Sequence, residues 1–160
     1  MADIVVDGRV KVSLVTTISN QASPTTSELN AGTSIEALLT PDGLIGFEPD
    51  TADVDVSALN STFDTKAAGR ASFSNTALRF KKQSGTDALY NAWPRDTAGY
   101  VVIRRDGSLA TVAYASSQKV EVYPIITGET RNLPPAANEV QKWELPCKIS
   151  VTPTIRATIA

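Results

Sequence analysis

Few side chains in this sequence are suited to chemistry, and their spacing does not gather them. Histidine is absent, which removes the commonest general base and the commonest metal ligand. Cys147 is the only cysteine, so neither a zinc site built from Cys and His nor an internal disulfide framework can form. A lone thiol of this kind reads as a buried strand residue in a subunit made in a reducing cytoplasm. Ser116 and Lys119 have the Ser-x-x-Lys spacing of some acyl-transfer enzymes, but no Ser-Asp-Asn or Lys-Thr-Gly companion follows. Asp53 and Asp55 would share one face of a strand, where paired carboxylates can move protons or hold a cation; without a third ligand nearby they read as a solvated face. Gly43 and Gly46 lack the following Lys-Ser or Lys-Thr of a phosphate-cradling loop. Asn60-Ser61-Thr62 fits a glycosylation acceptor but has no secretory signal to bring it to the machinery. The sequence therefore points away from an enzyme and from any cofactor or metal.

The elements that would position these residues are mostly strands. Val, Ile and Thr supply 42 of the 160 residues, and β-branched side chains favour a pleated, half-buried surface. From Val10 to Ile18 one face reads Val10, Val12, Leu14, Thr16, Ile18 and the other begins Lys11, Ser13, the period of two of a sheet with one core face. Near the C-terminus Trp143, Leu145, Cys147, Ile149 and Val151 alternate with Lys142, Glu144, Pro146, Lys148 and Ser150, and Pro146 predicts an edge or a bulge. Further strands are predicted over Asp53 to Leu59, Ala71 to Lys82, Gly99 to Arg105, Leu109 to Ala115 and Lys119 to Ile126. Asp106-Gly107 predicts a tight hairpin between Gly99 to Arg105 and Leu109 to Ala115. Two short helices interrupt the pattern. Thr25 and Glu28 have capping-box spacing, with Gly32 as a stop; Thr86 can cap Asp87 to Trp93, which Pro94 ends. Leu89, Tyr90 and Trp93 would then share a face that packs on the sheet. Ser34 to Leu39 suits either a helical turn or a short strand.

At this length the chain fits one domain, 1–160, able to bury roughly 70% of its unfolded surface. Residues 41–66 mix Gly, Pro, Asp and Ser around one short strand and read as a long excursion from the sheet; residues 152–160 read as a short C-terminal extension. The formal charge is −2, which gives no drive toward nucleic acid or an anionic membrane. Acidic Asp3 and Asp7 with no long apolar run behind them predict neither a secretory signal nor a membrane span.

Charge is nevertheless arranged in blocks. Phe47 to Asp64 carries Glu48, Asp50, Asp53, Asp55 and Asp64 with no basic residue, and Thr65 to Thr86 carries Lys66, Arg70, Arg79, Lys81 and Lys82 with no carboxylate before Asp87. Such blocks can pair within one subunit, pair across a head-to-tail contact with another copy, or stay solvated. We take Phe47 and these charged residues, Glu48, Asp50, Asp53, Asp55, Lys66, Arg70, Arg79, Lys81 and Lys82, as the candidate inter-subunit contacts.

Three stretches, in this order, resemble the major tail tube proteins of long-tailed (siphovirus-type) bacteriophages. They are Thr26 to Leu44 (TSELNAGTSIEALLTPDGL), Phe80 to Gly107 (FKKQSGTDALYNAWPRDTAGYVVIRRDG) and Val120 to Pro153 (VEVYPIITGETRNLPPAANEVQKWELPCKISVTP), about half the chain. The resemblance implies a mainly β fold, a β-sandwich with one or two short flanking helices. It also implies a structural virion protein that self-assembles into hexameric rings, stacked as a tail tube through which DNA passes without being specifically bound. The expected partners are the chain itself, the tape measure protein, and tail terminator or baseplate proteins, with no membrane. The expected location is the virion tail, assembled in the host cytoplasm. Ending soon after Val151, the chain would lack the extra C-terminal immunoglobulin-like module of some tube proteins. Two alternatives are a tube subunit of a contractile tail or injection machine, and a non-phage β-sandwich binding module.

Overall fold

The computed structural model describes residues 3–160. In chain order its elements are β1 (Lys11–Val15), α1 (Thr26–Asn30), β2 (Thr33–Ser34), β3 (Leu39–Ile45), β4 (Asp50–Asp55), β5 (Lys66–Ser72), β6 (Ala77–Lys81), α2 (Ala88–Ala92), β7 (Ala98–Arg104), β8 (Lys119–Thr127), β9 (Arg131–Asn132), β10 (Lys142–Ile149) and β11 (Thr154–Thr158). Nine strands form one antiparallel sheet in the order β2-β1-β7-β8-β10-β6-β3, with β11 also on β8 and β9 also on β10; β4 and β5 form a separate hairpin. The fold is the mainly β, sandwich-type architecture expected, with two short helices.

The sheet curls into two layers because β10 changes partner along its length. Lys142 to Pro146 pair with β6, and Cys147 to Ile149 pair with β8. Pro146, expected at an edge or bulge, instead occupies the changeover in an interior strand, where its missing N–H costs no ladder bond. The N–H of Cys147, the next residue, extends the β6 register by one more bond, donating to the Thr76 carbonyl at 3.0 Å, while Cys147 already pairs with Thr127 of β8.

Between the layers lies the main core. Val12, Leu14, Val101, Ile103, Tyr123 and Ile125 come from one layer; Leu78, Phe80, Trp143, Leu145 and Cys147 face them from the other. Each such side chain contributes about 1.5–3 kcal/mol by leaving water. Phe80 stacks on Trp143 at 4.5 Å between ring centroids, and Tyr90 meets Trp143 edge-on at 5.1 Å. Leu89 and Trp93 of the predicted apolar helix face are buried and Tyr90 half-buried. Trp93 needs Gly99 beneath it, where a Cβ would stand 2.5 Å from the ring. On β10 the expected face holds for Trp143, Leu145 and Cys147; Ile149 is half-buried, and Val151 lies exposed beyond the strand end.

A second core covers the other side of β1, β7 and β8, formed by Val15, Leu29, Val102, Tyr114, Val120, Val122, Ala157 and Ile159. Burial on both sides overrides the one-face pattern of β1, all five of whose residues are buried. Lys11 is accommodated by donating to the Ala110 carbonyl at 3.0 Å, and Ser13 by accepting from the Tyr114 hydroxyl at 3.0 Å.

Several boundaries differ from expectation. Leu109 to Ala115 is not a strand and Asp106-Gly107 makes no two-strand hairpin, because this segment folds over Arg104 as a loop. The strand expected over Asp53 to Leu59 is β4, starting at Asp50. The run Ala71 to Lys82 is broken between β5 and β6, where Asn75 takes φ +53°. Ser34 to Leu39 splits: β2 ends at Ser34, and the N–H groups of Leu38 and Leu39 both bond the Ile35 carbonyl in a single turn. Asp87, not Thr86, caps α2 by accepting from the Tyr90 N–H at 3.3 Å. Residues 152–160 are no mere extension, since β11 pairs with β8 and Ala157 and Ile159 are buried. The excursion 41–66 contains part of β3 and all of β4.

Candidate assembly interface

The hairpin of β4 and β5 stands apart from the sheet. Its register runs from Asp50 opposite Ser72 to Asp55 opposite Lys66, with an irregularity between Thr51 and Asp53. Every residue of β4 is exposed, and so is all of β5 except half-buried Gly69. The tip ties itself with short polar side chains, the turn chemistry of Asp and Ser. The Ser57 N–H donates to Asp55 Oδ1 at 2.9 Å and the Thr65 N–H to Ser57 Oγ at 2.9 Å. The hydrogen bonds from Ser57 hold the Asp55 carboxyl below the usual carboxylate range. Nothing among the described residues covers the apolar side chains here: Val54 and Val56 are about half exposed, Phe63 is 75% exposed and Leu59 is fully exposed.

The hairpin's base, by contrast, is fixed into the main core. Gly46 adopts φ +72° with the Ser74 carbonyl so close that a Cβ would sit 2.4 Å from it, so only glycine fits there. The chain then turns Phe47 inward. Its ring meets Tyr123 edge-on at 5.1 Å, and Tyr123 meets Phe73 edge-on at 5.9 Å. The Tyr123 hydroxyl lies 3.2 Å from the Phe47 carbonyl and 2.9 Å from Glu121 Oε2, and burial pushes its pKa well up. Phe47, expected at a subunit contact, is thus 3% exposed and belongs to its own chain's core.

The opposed charge blocks meet partly inside one chain. Lys66 Nζ lies 2.7 Å from Asp53 Oδ2 across the hairpin, both exposed. Arg79 pairs with Asp42 at 2.7 Å and with buried Glu144 at 2.7 Å. Lys82 Nζ rests 3.4 Å above the Tyr90 ring centroid, a cation–π contact. Among the described residues Glu48, Asp50, Arg70 and Lys81 have no ion-pair partner, and Asp55 bonds only to Ser57. Of the candidate contacts, the hairpin therefore carries Asp50, Asp53, Asp55, Lys66 and Arg70, while Arg79, Lys81 and Lys82 sit on β6 and just beyond it.

Two buried charges that the sequence reading left unassigned fix the scaffold. Glu144 accepts from Arg79 Nε at 3.0 Å and also pairs with Arg131. Burial works against its ionisation, but the hydrogen bonds from Arg79 and Arg131 outweigh burial and lower its pKa. Arg104, fully buried, donates to the carbonyls of Leu109 at 2.8 Å, Ala113 at 3.0 Å and Val112 at 3.1 Å, and to Gln118 Oε1 at 3.2 Å. Cys147 is buried as expected, and burial pushes its thiol up to about 12, which leaves it unreactive. Leu59 and Phe63 lie outside the sequence-predicted contacts; their signal is that of large apolar residues with no periodic partner in a polar, acidic segment.

A family model described as phage tail tube protein matches residues 1–160. Among solved structures, a chain of the cryo-EM structure of the anti-feeding prophage (AFP) baseplate, 6-fold symmetrised, shares the fold, with a TM-score of 0.56 and 12% identity over 92% of this chain and 94% of that one. No individual curated protein sequence matches. The family match extends from the first residue to the last. The chain belongs to the phage tail tube protein family.

Proposed function

We propose that this chain is the repeating subunit of a tail tube, in which copies close into hexameric rings, the rings stack head to tail, and the lumen conducts DNA into the host. The match of the whole chain to the tail tube family carries this reading. A heterologous contact closes into a ring when its rotation closes and extends as a filament when translation remains, and a tube uses both operations. The hairpin is the element a neighbouring ring covers. Its exposed carboxylates on β4 and apolar tip gain little within one copy, and a docked neighbour supplies burial and counter-charge together. Docking orders the hairpin, so the ordering cost delays assembly until a preformed ring or initiator lowers it.

The subunit works without catalysis. DNA is held only in transit, since a formal charge of −2 supplies no attraction for phosphate. The partners beyond the chain itself are the tape measure protein and tail terminator or baseplate proteins, and assembly takes place in the host cytoplasm. A second reading, a tube subunit of a contractile tail or injection machine, draws on the fold shared with a baseplate chain; a sheath bound around the tube decides for it. Electron microscopy of the purified protein at rising concentration tests the proposal. Hollow tubes or six-membered rings are expected, and a protein that stays monomeric at every concentration overturns it.

A further inference from the structure

Both legs of the hairpin meet the body of the subunit at one side chain, Tyr123 of β8. The first residue pair of the hairpin is Asp50 opposite Ser72; Phe47 precedes it on one leg and Phe73 follows it on the other. Each of these rings contacts the Tyr123 ring edge-on, the arrangement that aromatic quadrupoles favour. Phe47 and Tyr123 are buried and Phe73 is half-buried. The legs are also stiff beside their rings. Pro49 has a fixed φ and holds Glu48 extended, and on the other leg Asn75 takes φ +53° where Gly46 passes close to it. Beyond this stem β4 and β5 form a sheet of their own, with no ladder to the main one among the described residues.

We propose that Tyr123 is a positioning residue that aims the hairpin in the free subunit. A ribbon held at one leg can swivel about that point. Pinning both legs to the same buried ring removes the swivel. The pin is itself braced, because the Tyr123 hydroxyl lies 2.9 Å from Glu121 Oε2 and Glu121 pairs with Arg105 at 3.6 Å, at the end of β7. The same hydroxyl, 3.2 Å from the Phe47 carbonyl, adds a hold on the backbone of one leg. The direction of the hairpin is therefore set before any neighbour arrives, and the ordering that accompanies assembly is confined to the strands beyond Asp50 and Ser72. That last consequence rests on the self-assembly reading above; the clamp does not.

Double electron–electron resonance on the free subunit tests the clamp, with nitroxide labels on Thr51→Cys and Arg156→Cys. Thr51 lies on the leg that carries Phe47 and Arg156 on β11, which pairs with β8; both are exposed, and native Cys147 is buried. One narrow distance distribution is expected from this labelled chain. Phe73→Leu keeps apolar bulk but removes the ring from the opposite leg, and should widen the distribution about twofold or more. Tyr123→Phe keeps the ring and loses only the hydroxyl, so it should widen the distribution less. Leu29→Ala weakens the separate second core and should leave the distribution unchanged, which a general loosening of the fold would not do. A Phe73→Leu distribution as narrow as that of the parent, or a parent distribution already as wide as the variant's, overturns the clamp. In tube assembly Phe73→Leu should raise the concentration for half-assembly about threefold or more, because only the correctly aimed fraction is competent. A wild-type chain that never assembles overturns the tube reading, while the distances in the free subunit still decide the clamp.

Discussion

Arg79 reaches Glu144 with two nitrogens, Nε at 3.0 Å and Nη2 at 2.7 Å, both on Oε1, while Arg131 takes the other carboxylate oxygen. One buried carboxylate thereby joins β6, β9 and β10 on the side of the layer away from the main core. Arg79 is raised in pKa by the hydrogen bonds it donates to Glu144, and Glu144 is lowered despite its burial, so both partners are favoured in their charged forms.

Glu144→Gln should lower stability by about 1–3 kcal/mol near neutral pH, because two guanidinium groups lose their charged acceptor. The pH dependence has a definite sign. A folded-state pKa below the unfolded one means the stabilisation is complete above the ordinary carboxylate pKa and is lost as pH falls through the folded value. Urea midpoints measured from pH 7 down through the carboxylate range should therefore fall more steeply for wild type than for Glu144→Gln.

Leu145→Ala should cost about 2–5 kcal/mol, since Leu145 is fully buried opposite Leu78 and the site is walled by Phe80 and Trp143. Thermal unfolding followed by near-UV circular dichroism reads both the stability loss and any loosening of the Trp143 environment. A change as small as that of a surface substitution would place the core on the other face of β10.

Arg104→Lys keeps the positive charge but loses the fork that satisfies four acceptors at once. We expect a loss of at least about 2 kcal/mol. Hydrogen exchange should localise it: amides of residues 106–118 should lose protection while those of β8 keep theirs.

The hairpin should change most on assembly. A two-stranded hairpin with no covered face is marginal by itself, so amides of β4 and β5 should exchange fast in the free subunit and become protected in tubes. Amides beside Phe47 belong to the main core and should be protected in both states. Equal protection of β4 in subunit and tube would end the proposal that docking orders the hairpin.

What the sequence makes legible here is what lies within a few residues of itself. Thr25 and Glu28 form the predicted capping box, with the Glu28 N–H on Thr25 Oγ1 at 3.2 Å and the Thr25 N–H on Glu28 Oε2 at 2.9 Å. The alternation of Trp143, Leu145 and Cys147 is equally local. Glu144, in the same strand, looks like a solvent residue because Arg79 lies sixty-five positions away, beyond any periodic signal. Leu109 to Ala115 has strand composition, yet Arg104 supplies its carbonyls with donors and leaves the segment no need of a ladder. The alternation of β1 misleads because a second layer, assembled from α1, the Tyr114 loop and β11, closes over the face that Lys11 and Ser13 seemed to give to water. In the candidate interface the charges were visible, but which of them are spent at home was not: Asp53 and Lys66 pair within the hairpin, and Phe47 faces inward because Gly46 turns the chain.

The change of partner along β10 has a mechanical consequence. Its first half is stitched to one layer and its second half to the other, with Pro146 at the join. A force that tends to slide one layer over the other does not merely peel side chains apart; it loads a covalent chain that runs through both. Tension along a filament of such subunits would then be borne by peptide bonds and ladder hydrogen bonds in shear, so each subunit should stretch little before its contacts with neighbours give way.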